Sequence, residues 1–303
     1  MIGLISAPTN LGLRPPVRGA VPGTAKAPEA LREAGLHERL ARLGAVDAGV
    51  ILPGRYVDDD ETRAPGHVRN EAALVEHARR LAARVDAVLD AGRAPLVLGG
   101  DCSLVIGAGL ASGAQRPWGL VHVDGHTDFR HPALTDACAS VAGEDLAAAI
   151  GLHWPAISDI DGRGPYFAAA RTVHVGCRDD DPNLPRVRAA IGLAATSREV
   201  LERGAHAVAA DILDVAGTTG FWLQLDVDVL DPMFMPAVDS TTPGGLTPDA
   251  LVELLRALTP YAAGAAVTVF DPDLDPDGRC AELLVDVLVD GLARLGDEMV
   301  SVD

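Results

Sequence analysis

Short apolar runs alternate along this chain with longer segments rich in Ala, Leu and Arg, and the two kinds of segment differ in period. Runs at 2–6, 46–51, 95–98, 120–124, 172–175, 221–226 and 266–270 mostly end in Gly, Asp or Pro and predict strands. Residues 70–89 set Ala73, Leu74, Ala78, Leu81, Val85 and Leu89 at helical spacing with polar residues between, which predicts an amphipathic helix. Another helix is expected after Thr247, which can cap it, with Pro248 in the first turn and Leu251, Leu254, Leu255 and Leu258 inward. Residues 198–210 give a weaker helical signal, with Val200, Leu201 and Val208 inward. Strands that alternate with crossover helices build a parallel sheet, so the expected fold class is α/β. At 303 residues the chain could hold one large domain or two small ones, and no composition break or internal repeat marks a linker.

Two of these runs lead into chemistry. Asp124-Gly125-His126-Thr127-Asp128 and Asp226-Val227-Asp228 each end an apolar run and space their charged residues by two. Alternate residues share a face while the chain stays extended, so Asp124, His126 and Asp128 can converge with Asp226 and Asp228. Ligands of open parallel sheets gather at the carboxyl ends of strands, where these segments fall. Asp is depleted in strands and almost never buried without a partner, so carboxylates crowded there repel one another unless cations stand between them. Metal binding is the expectation; the plainer alternative is two loops of solvated acids. Gly99-Gly100-Asp101-Cys102-Ser103 and Gly176-Cys177-Arg178-Asp179-Asp180-Asp181 follow the runs at 95–98 and 172–175 and belong to the same edge.

Composition narrows the partners. With 43 Asp and Glu against 25 Lys and Arg, a net charge of -18 and no basic run, nucleic acid and anionic membranes are poor partners. The cysteines Cys102, Cys138, Cys177 and Cys280 lie far apart without CxxC spacing, which fits a reducing cytoplasm. The opening residues lack the basic region and long apolar stretch of a signal peptide, and no apolar run is long enough to span a membrane. A cytoplasmic protein acting on a small molecule is expected.

Taken in order, Gly99-Gly100-Asp101-Cys102-Ser103, Val123-Asp124-Gly125-His126-Thr127-Asp128 and Leu225-Asp226-Val227-Asp228-Val229-Leu230-Asp231-Pro232 resemble the three metal-binding signatures of the arginase, or ureohydrolase, superfamily. Similarity also touches Pro28-Glu29-Ala30-Leu31-Arg32, Pro243-Gly244-Gly245-Leu246-Thr247 and Leu274-Asp275-Pro276-Asp277-Gly278-Arg279, nearly the whole chain. The resemblance, which extends to agmatinases and formimidoylglutamases, implies one three-layer αβα domain over residues 1–303 with a central, mainly parallel sheet. It implies two divalent ions, Mn²⁺ in the first place, and hydrolysis of a guanidinium or related C–N bond by the hydroxide they hold. Carried over by position, Asp124 and Asp226 bridge the ions, Asp128 binds the first, and His126 and Asp228 bind the second. Homo-oligomers of three or six are common in that family.

The chain departs from the family pattern at several positions. Cys102 stands where the family supplies a His ligand; a thiolate there makes Zn²⁺ or Fe²⁺ more competitive, and the alternative is a small buried hydrophobe. Aligning Pro272 with the family's Glu-x-Asn-Pro puts Val269 at the Glu that holds guanidinium and leaves Asp271 as a shifted carboxylate or a turn cap; counting from Thr247 puts Asp271 itself at the Glu. Ala142 replaces a proton-shuttling His, with His131, His153, Glu144 and Asp145 as substitutes, so Glu144 joins Asp128 and His126 as the expected catalytic set. Arg130 resembles the Arg that meets a substrate carboxylate in formimidoylglutamases, and Asp181 matches a position that contacts a substrate amino group. Arg130, Asp181 and Asp271 are therefore expected to bind an amino-acid-like substrate. Gly125 in place of Ala reads as conservative. The expected function is binuclear hydrolysis of a guanidine, an N-modified guanidine such as N-hydroxyarginine, or a formimidoyl compound. The alternatives are a catalytically degenerate binding or regulatory protein and, last, single-zinc amide hydrolysis as in the histone-deacetylase branch.

Overall fold

Strands rich in Val, Ile, Leu and Ala without polar alternation can bury both faces, and the computed structural model, which describes residues 1–112, 116–135 and 137–299, uses them that way. The strands are β1 (Ile2–Ala7), β2 (Val46–Val50), β3 (Ala94–Gly99), β4 (Gly119–Val123), β5 (Thr172–Cys177), β6 (Leu193–Thr196), β7 (Phe221–Asp226) and β8 (Ala262–Thr268). They form one 8-stranded sheet in the order β2-β1-β3-β8-β7-β4-β5-β6, with every pairing parallel. Only the edge strand β2 is largely exposed.

The helices are α1 (Ala27–Glu33), α2 (Leu36–Arg42), α3 (Glu71–Asp90), α4 (Leu104–Ser112), α5 (Asp145–Ala149), α6 (Pro155–Ser158), α7 (Leu184–Ala190), α8 (Ser197–Arg203), α9 (Ala205–Ala216), α10 (Pro248–Leu258) and α11 (Arg279–Leu292). One apolar core packs α1, α2 and α8 to α11 on one face of the sheet. A second packs α3 to α7 on the other, giving the three-layer αβα arrangement. Among the described residues no helix is long and apolar enough to cross a membrane.

Helix α10 forms for the reasons its sequence announces. Thr247 Oγ1 accepts the Ala250 N–H at 3.2 Å, a cap of about 1 kcal/mol, and Leu251, Leu254, Leu255 and Leu258 are all fully buried. Three expectations shift. The segment 198–210 divides at Gly204, whose φ of +86° ends α8 and starts α9. Strand β6 is Leu-Ala-Ala-Thr, too poor in β-branched residues to read in advance. Strand β8 starts at Ala262 rather than 266, because Ala and Gly hide it; at Gly264 a Cβ would come within 2.5 Å of the Trp222 ring. The central strands β3, β8, β7 and β4 direct their carboxyl ends to one edge, where β7 ends on Asp226 and the segments leaving β3, β8 and β4 carry Cys102, Val269 and Asp124.

Candidate metal centre and adjoining cavity

Turns at the strand ends, more than an extended pleat, bring the candidate ligands together. Asp124 Oδ1 accepts the His126 N–H at 2.6 Å, and Asp226 Oδ1 accepts the Asp228 N–H at 2.9 Å, so each first Asp bends the chain with its own carboxylate. A short 3₁₀ turn, Val227–Val229, follows Asp226, and Asp128 has a φ of +44°. Asp228 Oδ1 accepts from Gly125 N at 2.9 Å and Oδ2 lies 2.8 Å from His126 Nδ1. From β3, Cys102 Sγ donates to Asp226 Oδ2 at 2.8 Å and lies 3.3 Å from Thr268 Oγ1. Donor atoms of Cys102, Asp124 and Asp226 lie within 4.8 Å of one another, as do those of Asp124, His126 and Asp228. Asp124 belongs to both trios, and Asp128 belongs to neither.

The electrostatics of the cluster call for cations. Burial, then mutual repulsion, pushes the carboxyls of Asp124, Asp128 and Asp226 well above their ordinary range. Burial and the same charges raise the Cys102 thiol. His126 is pushed up to about 9, first by its hydrogen bond to Asp228. Burial works to raise Asp228 too, but the His126 hydrogen bond and charge carry it below its usual range. Asp124 Oδ2 is buried without a hydrogen-bond partner. Hard carboxylate oxygens with an imidazole, and a softer thiol at one side, fit divalent cations. Behind Asp124 lies a second buried layer: His122 Nε2 is 3.3 Å from Asp145 Oδ1 and His122 Nδ1 is 3.0 Å from His174 Nδ1. Burial lowers His122 to about 3.

Buried polar groups fix this cluster in place. Asp101 accepts from Thr9 Oγ1 (3.2 Å), Gly12 N (3.1 Å) and Ser103 N (2.9 Å), tying down the turn that carries Cys102. Arg178 reaches the carbonyls of Asp228 (3.0 Å) and Thr242 (2.7 Å), and its guanidinium fills the space beside Gly125. A Cβ on Gly125 would stand 2.5 Å from the Asp228 carbonyl oxygen, so glycine there is required by packing and the change from Ala is not conservative.

A cavity of about 520 Å³ opens from the cluster. Its lining combines His126, Asp128, Asp226 and Asp228 of the cluster with the cations Arg14, Arg69 and Arg130 and with Ser140, Gly143, Asp239, Ser240 and Val269. Arg130 is exposed and donates to the Gly143 carbonyl at 3.2 Å. Arg69 is buried and pairs with Asp60 at 2.6 Å, while its Nε and Nη1 have no hydrogen-bond partner.

The remaining expected site residues sit differently. Asp181 lines the cavity, but its oxygens accept from Thr127 N (3.0 Å), Thr127 Oγ1 (2.9 Å) and Asn183 N (2.8 Å), so it steadies the ligand loop. Asp271 does not line the cavity: its carboxylate caps the Pro272–Leu274 turn through Asp273 N (2.9 Å) and accepts from Gly23 N (3.2 Å). Val269 is the residue of that segment that faces the cavity. Glu144 accepts from Ala139 N (2.8 Å) and Ser140 N (3.1 Å), with His153 Nε2 at 2.9 Å from its other oxygen. His153 Nδ1 accepts the Trp154 N–H at 2.9 Å, so the ring proton sits on Nε2 and points at Glu144. This pairing clamps the loop and leaves Glu144 without a free oxygen for proton transfer. It also occupies the cluster of Cys138, Glu144 and His153 that could otherwise suggest another ion. Sequence reasoning missed Arg178, Arg69 and Asp239. The last opens the polar run Asp239-Ser240-Thr241-Thr242 that leads into Pro243-Gly244-Gly245, which reads as an ordinary loop, and desolvation, then the Asp228 charge, raises its carboxyl to about 6.

Comparison with known proteins agrees with this geometry. The arginase family model matches residues 2–293. An arginase of Bacillus caldovelox is 33% identical over 293 residues, covering 94% of this chain and 95% of its own. Human arginase-1 is 32% identical over 256 residues, covering 81% and 76%. The solved structure of the Bacillus caldovelox arginase superposes with a TM-score of 0.84 over 96% of this chain and 97% of that one, at 30% identity.

Proposed function

The chain belongs to the arginase family, whose members hydrolyse C–N bonds of linear amidines, and from that premise we propose that it is a binuclear metal-dependent hydrolase of a guanidine, N-modified guanidine or formimidoyl compound. The observation that carries this reading is the pair of donor trios sharing Asp124, of which His126, Asp226 and Asp228 line a 520 Å³ cavity. Two divalent ions, Mn²⁺ first and Zn²⁺ or Fe²⁺ competitive beside Cys102, supply an acidified water and screening of developing negative charge when bound. Cys102, Asp124 and Asp226 would hold one ion and Asp124, His126 and Asp228 the other, while Asp128 joins the set on the family resemblance alone. As a ligand Cys102 would be a thiolate, the proton it donates to Asp226 being released to solvent.

Around that centre the protein's own groups orient the substrate. Arg130 presents a planar cation to a substrate carboxylate, and Asp181 acts through Thr127 to hold His126 and Asp128 in register. Ala142 transfers no proton and Glu144 is clamped, so a leaving group that needs little protonation suits this site best. The chain is proposed to act in the cytoplasm, as a single domain and as a homo-oligomer of three or six.

A panel of arginine, agmatine, N-hydroxyarginine and formimidoylglutamate, assayed for urea, hydroxyurea and formamide with Mn²⁺-loaded protein, tests this. Product from at least one compound is expected; no product from any of them overturns it. The thiol of Cys102 donating to Asp226 favours one other reading, a degenerate binding or regulatory protein. Under that reading, purified protein carries no stoichiometric metal.

A further inference from the structure

The resemblance expects a guanidinium-holding carboxylate at position 269, and the wall presents a valine there. Val269 has a φ of +74° and its N–H donates to the Gly100 carbonyl at 2.7 Å. A β-branched residue in the left-handed region is held only by its surroundings, so this apolar face is built into the wall. Asp271, the other candidate, is turned to a cap. The substrate's cationic end therefore has no partner where the family pattern supplies one.

The acids that line the cavity can be sorted by what they already do. Asp128, Asp226 and Asp228 belong to the metal cluster, Asp60 pairs with Arg69, Glu144 clamps a loop and Asp181 holds Thr127. Asp239 is the acid left over. No Lys, Arg or His makes ion-pair contact with it among the described residues. Its position is tied to that of Val269: the Asp271 N–H donates to the Ala237 carbonyl at 2.9 Å, so the segment bearing Asp239 and Ser240 is pinned against the segment bearing Val269. Both face the same cavity, with Asp228 and His126 as electrostatic neighbours of Asp239.

We propose that Asp239 receives the cationic guanidinium or amidinium end of the substrate, supplying from the neighbouring loop the carboxylate that Val269 lacks. The cavity is then bipolar. Arg130 and Arg69 offer cations to a substrate carboxylate, and Asp239, an electrostatic neighbour of Asp228 and His126, draws a planar cation whose fork can meet an acid in bidentate fashion. A neutral head group of the same shape forfeits this interaction. The inference deepens the proposed reaction and rests on its choice of substrate class, yet it is read out by binding alone.

The test compares L-arginine with L-citrulline, its neutral isostere, as the KM of arginine against the inhibition constant of citrulline, or by calorimetric titration where arginine is not turned over, in Mn²⁺-loaded wild type, Asp239→Asn and Asp239→Glu, with metal content and melting temperature recorded for each. Wild type is expected to prefer arginine by about tenfold or more, in line with one charge-assisted hydrogen bond. Asp239→Asn should bring the two ligands to near parity while citrulline binding and metal content hold, and Asp239→Glu should keep most of the preference. Asp239→Ser serves the same purpose if the amide disturbs the wall. An undiminished preference in Asp239→Asn or Asp239→Ser overturns the proposal, as does wild type that binds both ligands equally. A preserved, Asp239-dependent preference in a protein that hydrolyses none of the panel would overturn the catalytic reading and leave this one standing.

Discussion

At the metal end of the cavity, every candidate ligand follows a central strand within a few residues, and backbone N–H groups of the same turns bind the carboxylates. At the substrate end, Arg130, Asp181, Asp239 and Val269 come from separate loops whose positions depend on long-range contacts such as Asp271 to Ala237 and Thr127 to Asp181. The first end keeps nearly all the side chains that the family resemblance implies, with Cys102 as the exception. The second end changes its chemistry at Ala142 and Val269. Strand ends fix geometry tightly, so the reaction centre stays put while loops reset what it accepts.

The sharpest way to break this contrast is to remove the ligand common to both trios. Asp124→Ala should lower metal affinity by more than about 10²-fold, beyond the loss typical of an outer-shell partner, and abolish turnover. Retention of both ions, read by elemental analysis, would undo the assignment of Asp124.

Stripping the ions should expose the repulsion they relieve. Asp124, Asp128, Asp145 and Asp226 have carboxyls raised above their ordinary 3.8, whereas Asp228 is lowered. Raised carboxyls mean the folded state binds more protons than the unfolded chain, so their contribution is fullest below pH 3.8 and is lost as pH rises through the higher folded values. Chelated protein should therefore lose melting temperature, relative to Mn²⁺-loaded protein, as pH rises from about 5 to 8. A gap that is constant or narrows with pH would contradict this.

At the substrate end the effects should be smaller and confined to recognition. Arg130→Ala should raise KM about tenfold for carboxylate-bearing substrates with kcat little changed, and leave agmatine, which has no carboxylate, unaffected. Equal losses on both substrates would assign Arg130 to structure. Smaller still, Glu144→Gln should cost about 1.5–3 kcal/mol of stability through the His153 clamp and leave the pH dependence of kcat in place. A displaced pH profile with unchanged stability would restore Glu144 as a proton carrier.

The same contrast explains what the sequence revealed. Parallel strands with continuous apolar runs and the capped α10 were readable because local pattern and tertiary role agree. Strand β6 and the first half of β8 were not, because alanines gain strand structure only from neighbours such as Trp222. Helix α4 is buried all round and has no period to detect. Spacing two marked Asp124, His126, Asp226 and Asp228, although turns and not a pleat unite them. Glu144 and Asp181 could not be told from catalytic acids until their backbone partners were visible, and Asp239 carried no local signal at all. The fit of Gly125 beside Arg178 was equally hidden, since it joins residues distant in the chain.

The claim on which the rest depends is that divalent cations hold the carboxylates at the sheet edge together. Elemental analysis of freshly purified, folded protein measures it directly. Close to two equivalents of Mn²⁺, or a mixture of Mn²⁺ with Zn²⁺ or Fe²⁺, per chain is the predicted result. A fully folded and active protein with no bound metal would contradict it.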